Sequence, residues 1–151
     1  MAFHPEDRVV ASCSEDKSIK LWNLDDGGLI STMNVDGWVW SVDWSPCGTM
    51  IAAACNDEEE DDYCVKILNS ETGALLCDLS GHSYSVNSVC WNSDGTKLAS
   101  GSNDHTVKVW DSTTGECLWT LNVGCYMFVD RRKPPHGGFP KPAFTEFGSA
   151  V

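Results

Sequence analysis

The chain repeats itself three times, and this internal repetition constrains its fold more than any other feature. Phe3-His4-Pro5-Glu6-Asp7, Trp44-Ser45-Pro46-Cys47-Gly48 and Trp91-Asn92-Ser93-Asp94-Gly95 each join an aromatic residue to a turn-forming cluster. Val9-Val10-Ala11-Ser12, Met50-Ile51-Ala52-Ala53 and Lys97-Leu98-Ala99-Ser100 follow them. Each copy then closes on an alternating stretch: Ile19-Lys20-Leu21-Trp22-Asn23, Val65-Lys66-Ile67-Leu68-Asn69 and Val107-Lys108-Val109-Trp110-Asp111. Phe3 to Trp22 and Trp91 to Trp110 both span 19 positions. Trp44 to Leu68 spans 24, and the five extra residues fall in an acidic run.

Period-2 alternation with turn signals between the runs reads as four short strands per copy. In the third copy these are expected at 86–91, 97–102, 106–110 and 117–121, separated by Ser-Asp-Gly, Asn-Asp-His and Thr-Thr-Gly. Such residues bend the chain or tolerate positive φ. Four antiparallel strands in about 42 residues make a β-propeller blade, and nothing reads as a long amphipathic helix. The expected architecture is therefore all-β, an arc of three four-stranded antiparallel blades. Residues 1–33 would form a first blade cut short at its N-terminus, 34–79 a degenerate second blade with an acidic insertion, and 80–121 the third. The tail, 122–151, is rich in Pro, Gly and basic residues and is expected to be disordered, because it cannot bury enough apolar area to order itself.

The third copy, from Leu79-Ser80-Gly81-His82 through Leu98-Ala99-Ser100-Gly101-Ser102 to Val109-Trp110-Asp111, closely resembles the WD-repeat family. The resemblance extends over 1–121 and rests on several motifs at fixed spacing. It implies a buried hydrogen-bond chain within a blade, made here by His82, Ser100, Asp104 and Trp110. The first copy keeps Ser12, Asp16 and Trp22 without the His. In the second, Val35, Ala53 and Leu68 stand where His, Ser and Trp are expected and only Asp57 remains. That blade is expected to rely on packing alone and to be the least rigid.

Charge and cysteine usage narrow the function. The net charge is −12. Residues 1–121 carry 6 basic and 20 acidic side chains, a net −14, while 122–151 carry 4 and 2, a net +2. So acidic a repeat region argues against nucleic acid, whose phosphates need clustered Lys and Arg, and favours a basic partner. No run approaches the roughly 20 apolar residues of a membrane helix, and the N-terminus carries no visible secretory signal. Cytoplasm or nucleus is the expected location, with no membrane partner. The eight cysteines show no Cys-x-x-Cys pair and no zinc spacing. They read as reduced, structural residues, and neither metal nor cofactor is expected.

Ser100, His82 and Asp104 also invite a hydrolase reading. Ser-His-Asp catalysis needs an exposed nucleophile and an oxyanion hole, yet Ser100 is mid-strand, with no Gly-x-Ser-x-Gly elbow to present it. The structural role accounts for the same residues. The run Asp57-Glu58-Glu59-Glu60-Asp61-Asp62 lacks the alternating ligands and Gly turn of a hard-cation loop. It reads as a solvated loop or as an attractor of basic peptide.

Trp38 and Trp40 carry the more pointed hypothesis. The resemblance places them where the innermost strand meets the peptide-binding face around the central channel, and their spacing of two puts both on one side of the strand. Asn56, Glu58, Glu59 and Glu60 would occupy the neighbouring loop, and Glu15, Ser85, Asn87 and Asn103 would give a polar rim. Indole beside carboxylate suits an Arg- or Lys-bearing segment. The competing reading is that the rings fill the space left by the missing His, Ser and Trp. The expectation is a non-enzymatic scaffold or adaptor for basic or mixed-charge peptide segments. The alternatives are an incomplete or truncated product without independent function and a hydrolase using Ser100. Three blades cannot close a ring when propellers use about 4–8. A longer parent chain, truncation, or an oligomer completing the ring between subunits would each explain that.

Overall fold

The computed structural model describes residues 1–57 and 62–124. The tail beyond Gly124 and the four residues Glu58 to Asp61 therefore lie outside the described residues, and with them the disorder expected of the tail. The described residues form twelve strands and no helix. The strands are β1 (Ala2–Phe3), β2 (Val9–Cys13), β3 (Ser18–Asn23), β4 (Leu29–Asn34), β5 (Trp38–Trp44), β6 (Met50–Asp57), β7 (Asp62–Asn69), β8 (Leu75–Ser80), β9 (Val86–Trp91), β10 (Lys97–Ser102), β11 (Thr106–Asp111) and β12 (Cys117–Asn122). They pair into three antiparallel sheets, β1-β2-β3-β4, β5-β6-β7-β8 and β9-β10-β11-β12, each in simple chain order. The four strands expected in the third copy are present, two of them one residue longer.

Turn chemistry explains why the strands reverse where they do. Asn23, Asn69 and Asp111 each end the third strand of a sheet, and each side chain accepts backbone N–H groups two or three residues on. The backbone carbonyls of the same three residues accept the N–H of Gly27, Gly73 and Gly115 at 2.9 Å. Those glycines sit at φ +71°, +71° and +74°, a region that costs a side chain about 1 kcal/mol or more. One turn design is thus used three times. Gly48 is under a second constraint, because a Cβ there would stand 2.2 Å from the His4 ring.

The second sheet buries both faces, one against the first sheet and one against the third. Ala11, Ile19, Leu21 and Met33 of the first sheet pack on Val42, Trp44, Ile51 and Leu68 of the second. The opposite side of the second sheet, through Ala52, Ala54, Val65, Ile67 and Leu79, packs on Val86, Val89, Leu98 and Trp110 of the third. Strands covered on both faces read as near-continuous apolar runs, hence the six successive buried residues of β6. The outermost strands β4, β8 and β12 are largely exposed.

Candidate partner-binding face

The hydrogen-bond chain of the third sheet is complete. The Trp110 indole N–H donates to Ser100 Oγ at 2.8 Å, Ser100 Oγ lies 2.8 Å from His82 Nε2, and His82 Nδ1 lies 2.7 Å from Asp104 Oδ2. Asp104 also accepts the Thr106 hydroxyl and the N–H groups of Ser83 and Thr106. A neutral His82 protonated on Nδ1 satisfies every member in one direction, from Trp110 through Ser100 and His82 to Asp104. Burial holds the His82 pKa below its ordinary value against the opposing pull of Asp104. The distances resemble a Ser-His-Asp triad, but Ser100 is 1% exposed and its oxygen already accepts the indole N–H.

In the first sheet Trp22 donates to Ser12 at 2.8 Å, and the chain stops there. Ser12 turns its hydroxyl to the Lys20 carbonyl, while Asp16 takes the Ser18 hydroxyl and the Lys20 ammonium. The second sheet corrects the expectation that it relies on packing alone. Lys66, buried, bonds Asp78 at 2.8 Å. Burial opposes its charge, but that hydrogen bond and the charge interactions with Asp78, Cys64 and Cys55 together outweigh the penalty and hold the ammonium above the usual lysine range. Asp57 pairs with Lys17 of the first sheet at 3.7 Å.

The joint between the second and third sheets is also polar, and sequence reasoning missed it. Ser41 Oγ accepts the Val89 N–H at 3.4 Å, and Asp43 accepts the Trp91 N–H at 2.8 Å. Asn56 closes both sides of Val86, donating to its carbonyl at 2.9 Å and accepting its N–H at 2.8 Å. This corrects the assignment of Asn56 to the partner-facing set: it is 1% exposed and its amide is engaged by backbone. Ser85 is buried too. Seven described cysteines are free, and only Cys55 and Cys64 are buried. Cys47, Cys90 and Cys117 are exposed, against the expectation of a mostly structural set.

The remaining described candidates lie at one end of the sheets, with the β2–β3 and β10–β11 turns and the paired ends of β6 and β7 at Asp57 and Asp62. Trp38 stands in register with Asn56, and Asn56 with Tyr63, so the three lie abreast one row below Asp57 and Asp62. The register shifts between Val39 and Ser41, leaving Trp40 as the unpaired residue of a bulge. Trp40 is 49% exposed and Trp38 is half-buried. Tyr63 stacks on the exposed Tyr84, ring centroids 5.6 Å apart. These two tyrosines also escaped sequence reasoning, although Tyr63 directly follows the acidic run. Glu15 and Asn87 are exposed, and Asn103 is half-buried and accepts a bond from Asn87. Glu58, Glu59 and Glu60 lie outside the described residues.

Four-stranded antiparallel sheets stacked face to face, one of them threaded by a Trp-Ser-His-Asp chain, define successive blades of a β-propeller. The model of the family described as WD domain, G-beta repeat, matches residues 1–23, 27–68 and 73–111. The chain belongs to the WD-repeat family. The second and third matches each begin near the outer strand of one blade and run through three strands of the next, so sequence repeat and blade are offset by one strand. The chain is 30% identical over 127 residues to WD repeat-containing protein 18 of Danio rerio, covering 78% of this chain and 29% of that protein. It is 34% identical over 150 residues to nuclear distribution protein PAC1 of Arthroderma benhamiae, covering 92% and 32%. It is 27% identical over 116 residues to the U3 small nucleolar RNA-associated protein 21 homolog of Schizosaccharomyces pombe, covering 77% and 12%. The chain thus spans a third or less of the length of these relatives.

Proposed function

We propose that this chain is a non-enzymatic interaction scaffold whose blades recruit a basic or mixed-charge peptide segment on the face bearing Trp38 and Trp40. The observation that carries this reading is the half-exposed Trp40, left unpaired by a bulge in a strand whose first residue, Trp38, lies one row from the paired Asp57 and Asp62. Bulges re-aim a side chain, and an indole left in water forgoes the stabilisation its burial would bring. An Arg or Lys side chain can lie over the ring while pairing with a carboxylate. The packing alternative fits Trp38 in part and Trp40 poorly, since so exposed a ring fills little space.

The buried, doubly engaged Ser100 favours a structural over a hydrolytic use of the Ser-His-Asp set. Relatives named for nuclear distribution and for a nucleolar RNA-associated protein agree with a place in cytoplasm or nucleus. Screening a basic peptide library against wild type and a Trp38→Ala/Trp40→Ala variant tests the site. Loss of binding in the variant supports it, and unchanged binding would sink it.

A further inference from the structure

We infer that the free edge of β4, beside the β7–β8 turn, is a second binding site, and that it takes an extended peptide segment as an added strand of the first blade. The site shares no residue with the face bearing Trp38 and Trp40 and lies at the joint between the first two blades. A cavity of about 260 Å³ opens there, lined by the consecutive residues 31–34 of β4 and by Glu71, Thr72 and Gly73 of the turn. Sites for drug-sized ligands measure about 300–1,000 Å³, so a side chain with its stretch of backbone suits this one better than a small molecule. Neighbouring residues of a strand point to opposite faces. A hollow touched by four in succession therefore runs along the edge of the strand and reaches its backbone.

The ladder fixes which backbone groups face that edge. Val35 donates its N–H to the Lys17 carbonyl at 3.0 Å. Antiparallel pairs alternate between bonded and unbonded, so Met33 opposite Ile19 and Ser31 opposite Leu21 turn their N–H and C=O to β3. Thr32 and Asn34 turn theirs to the free edge, and both residues are exposed. Natural edge strands guard such a row with charge or Pro. In β8 Asp78 does so, whereas β4 has Thr32 at the matching place and neither a charge nor a Pro from Leu29 to Asn34.

Comparison of the two joints within the chain shows why the hollow exists. Between the second and third blades, Cys77 and Leu79 both press on the following turn, where a Cβ on Gly115 would meet them at 2.8 and 3.2 Å. Between the first and second, Met33 meets a Cβ on Gly73 at 3.2 Å, but Ser31, at the place of Cys77, comes no nearer than 3.9 Å. The lining also selects the ligand. Exposed Glu71 gives the hollow a negative charge in a chain of net −12. Leu75 stands opposite Leu68, which packs on the first blade, so it faces the same joint, yet it is 54% exposed. An extended segment with Lys or Arg and an apolar residue two apart, hence on one side of the strand, meets both.

The probes are fluorescent nine-residue peptides that place Lys or Arg and Leu or Val two apart in a Ser/Thr background, titrated into the 151-residue chain. Binding is expected to slow amide exchange at Thr32 and Asn34, read by NMR. N-methylation at alternate peptide positions should divide the probes into two series. One loses at least about tenfold in affinity and the other is unchanged, because only alternate N–H groups face β4. Thr32→Pro, a residue tolerated at an edge, removes one outward N–H, and Glu71→Lys reverses the charge. Each should weaken binding by about tenfold or more at wild-type circular dichroism, while Trp38→Ala/Trp40→Ala binds as wild type does. The inference is overturned if no peptide of the set slows exchange at Thr32 and Asn34, or if both methylated series bind equally. Binding lost in the Trp variant and kept in Thr32→Pro would overturn it in favour of the other face. Exchange already slow without peptide, in a species of twice the 16.5 kDa chain mass by light scattering, would overturn it in favour of a second copy.

Discussion

His82 is buried, and on its Nε2 side it meets a partner that fits only the neutral ring. Its protonation would put a second N–H on Ser100 Oγ, which already accepts the Trp110 indole, and would strand the Ser100 hydroxyl proton. Because the folded pKa lies below the ordinary 6.5, the unfolded chain takes up its proton first as pH falls. This contribution to stability is complete above about 6.5 and declines below it. For Asp104 burial pushes the carboxyl up, but the bonds from Thr106, His82 and Ser83 prevail and hold it at about 2, down from 3.8. Its stabilisation is lost as pH falls through that lower window, so both groups make acid destabilising. The melting temperature should fall between about pH 7.5 and 5. A His82→Gln protein, less stable at neutral pH by about 1–3 kcal/mol, should show a shallower fall; an identical slope would contradict this account. Cysteine chemistry gives a second prediction. Hydrogen bonds from Ser45 and Thr49 bring exposed Cys47 down to about 7, whereas burial pushes Cys55 up to about 12 and Cys64 higher still. Alkylation of the native protein followed by peptide mapping should modify Cys47 early and Cys55 and Cys64 only after unfolding.

At the scale of the strand and its joint, the polar stitching between blades decides more than alternation does. Asn56 satisfies a backbone N–H and a C=O that would otherwise be buried unpaired. Asn56→Ala should cost about 2–4 kcal/mol, two such groups losing partners, while Trp40→Ala should stay within about 0.5 kcal/mol of wild type. Urea unfolding of both proteins checks the contrast, and equal losses would mean that Trp40 is a packing residue. Strands, turns and the hydrogen-bond chain of the third blade were legible because they depend on local spacing: a Trp, a Ser and an Asp at set offsets, and Gly where φ must be positive. Asn56 was not, because its use depends on Val86 arriving 30 positions later. The bulge at Trp40 was equally hidden. Val39 and Val42 are both buried three apart, which simple alternation cannot produce. The second blade read as degenerate because its Lys66–Asp78 pair occupies positions other than those of the His-Ser-Asp-Trp set.

At the scale of the whole molecule, three blades share two apolar joints and a strongly acidic character. That charge should accelerate encounter with a basic segment and make binding weaken as salt is added. The repeats were visible in the order of the residues and the acidity in their counts. The location of the aromatic surface was less so, since Tyr63 and Tyr84 meet only when the second and third blades dock. The most direct measurement is a hydroxyl-radical footprint of the chain with and without an Arg/Lys-rich peptide selected from the library. Protection of Trp40 and Trp38, with Trp119 unchanged between the two states, is the predicted result. Protection elsewhere with Trp40 unaltered would contradict the proposed face.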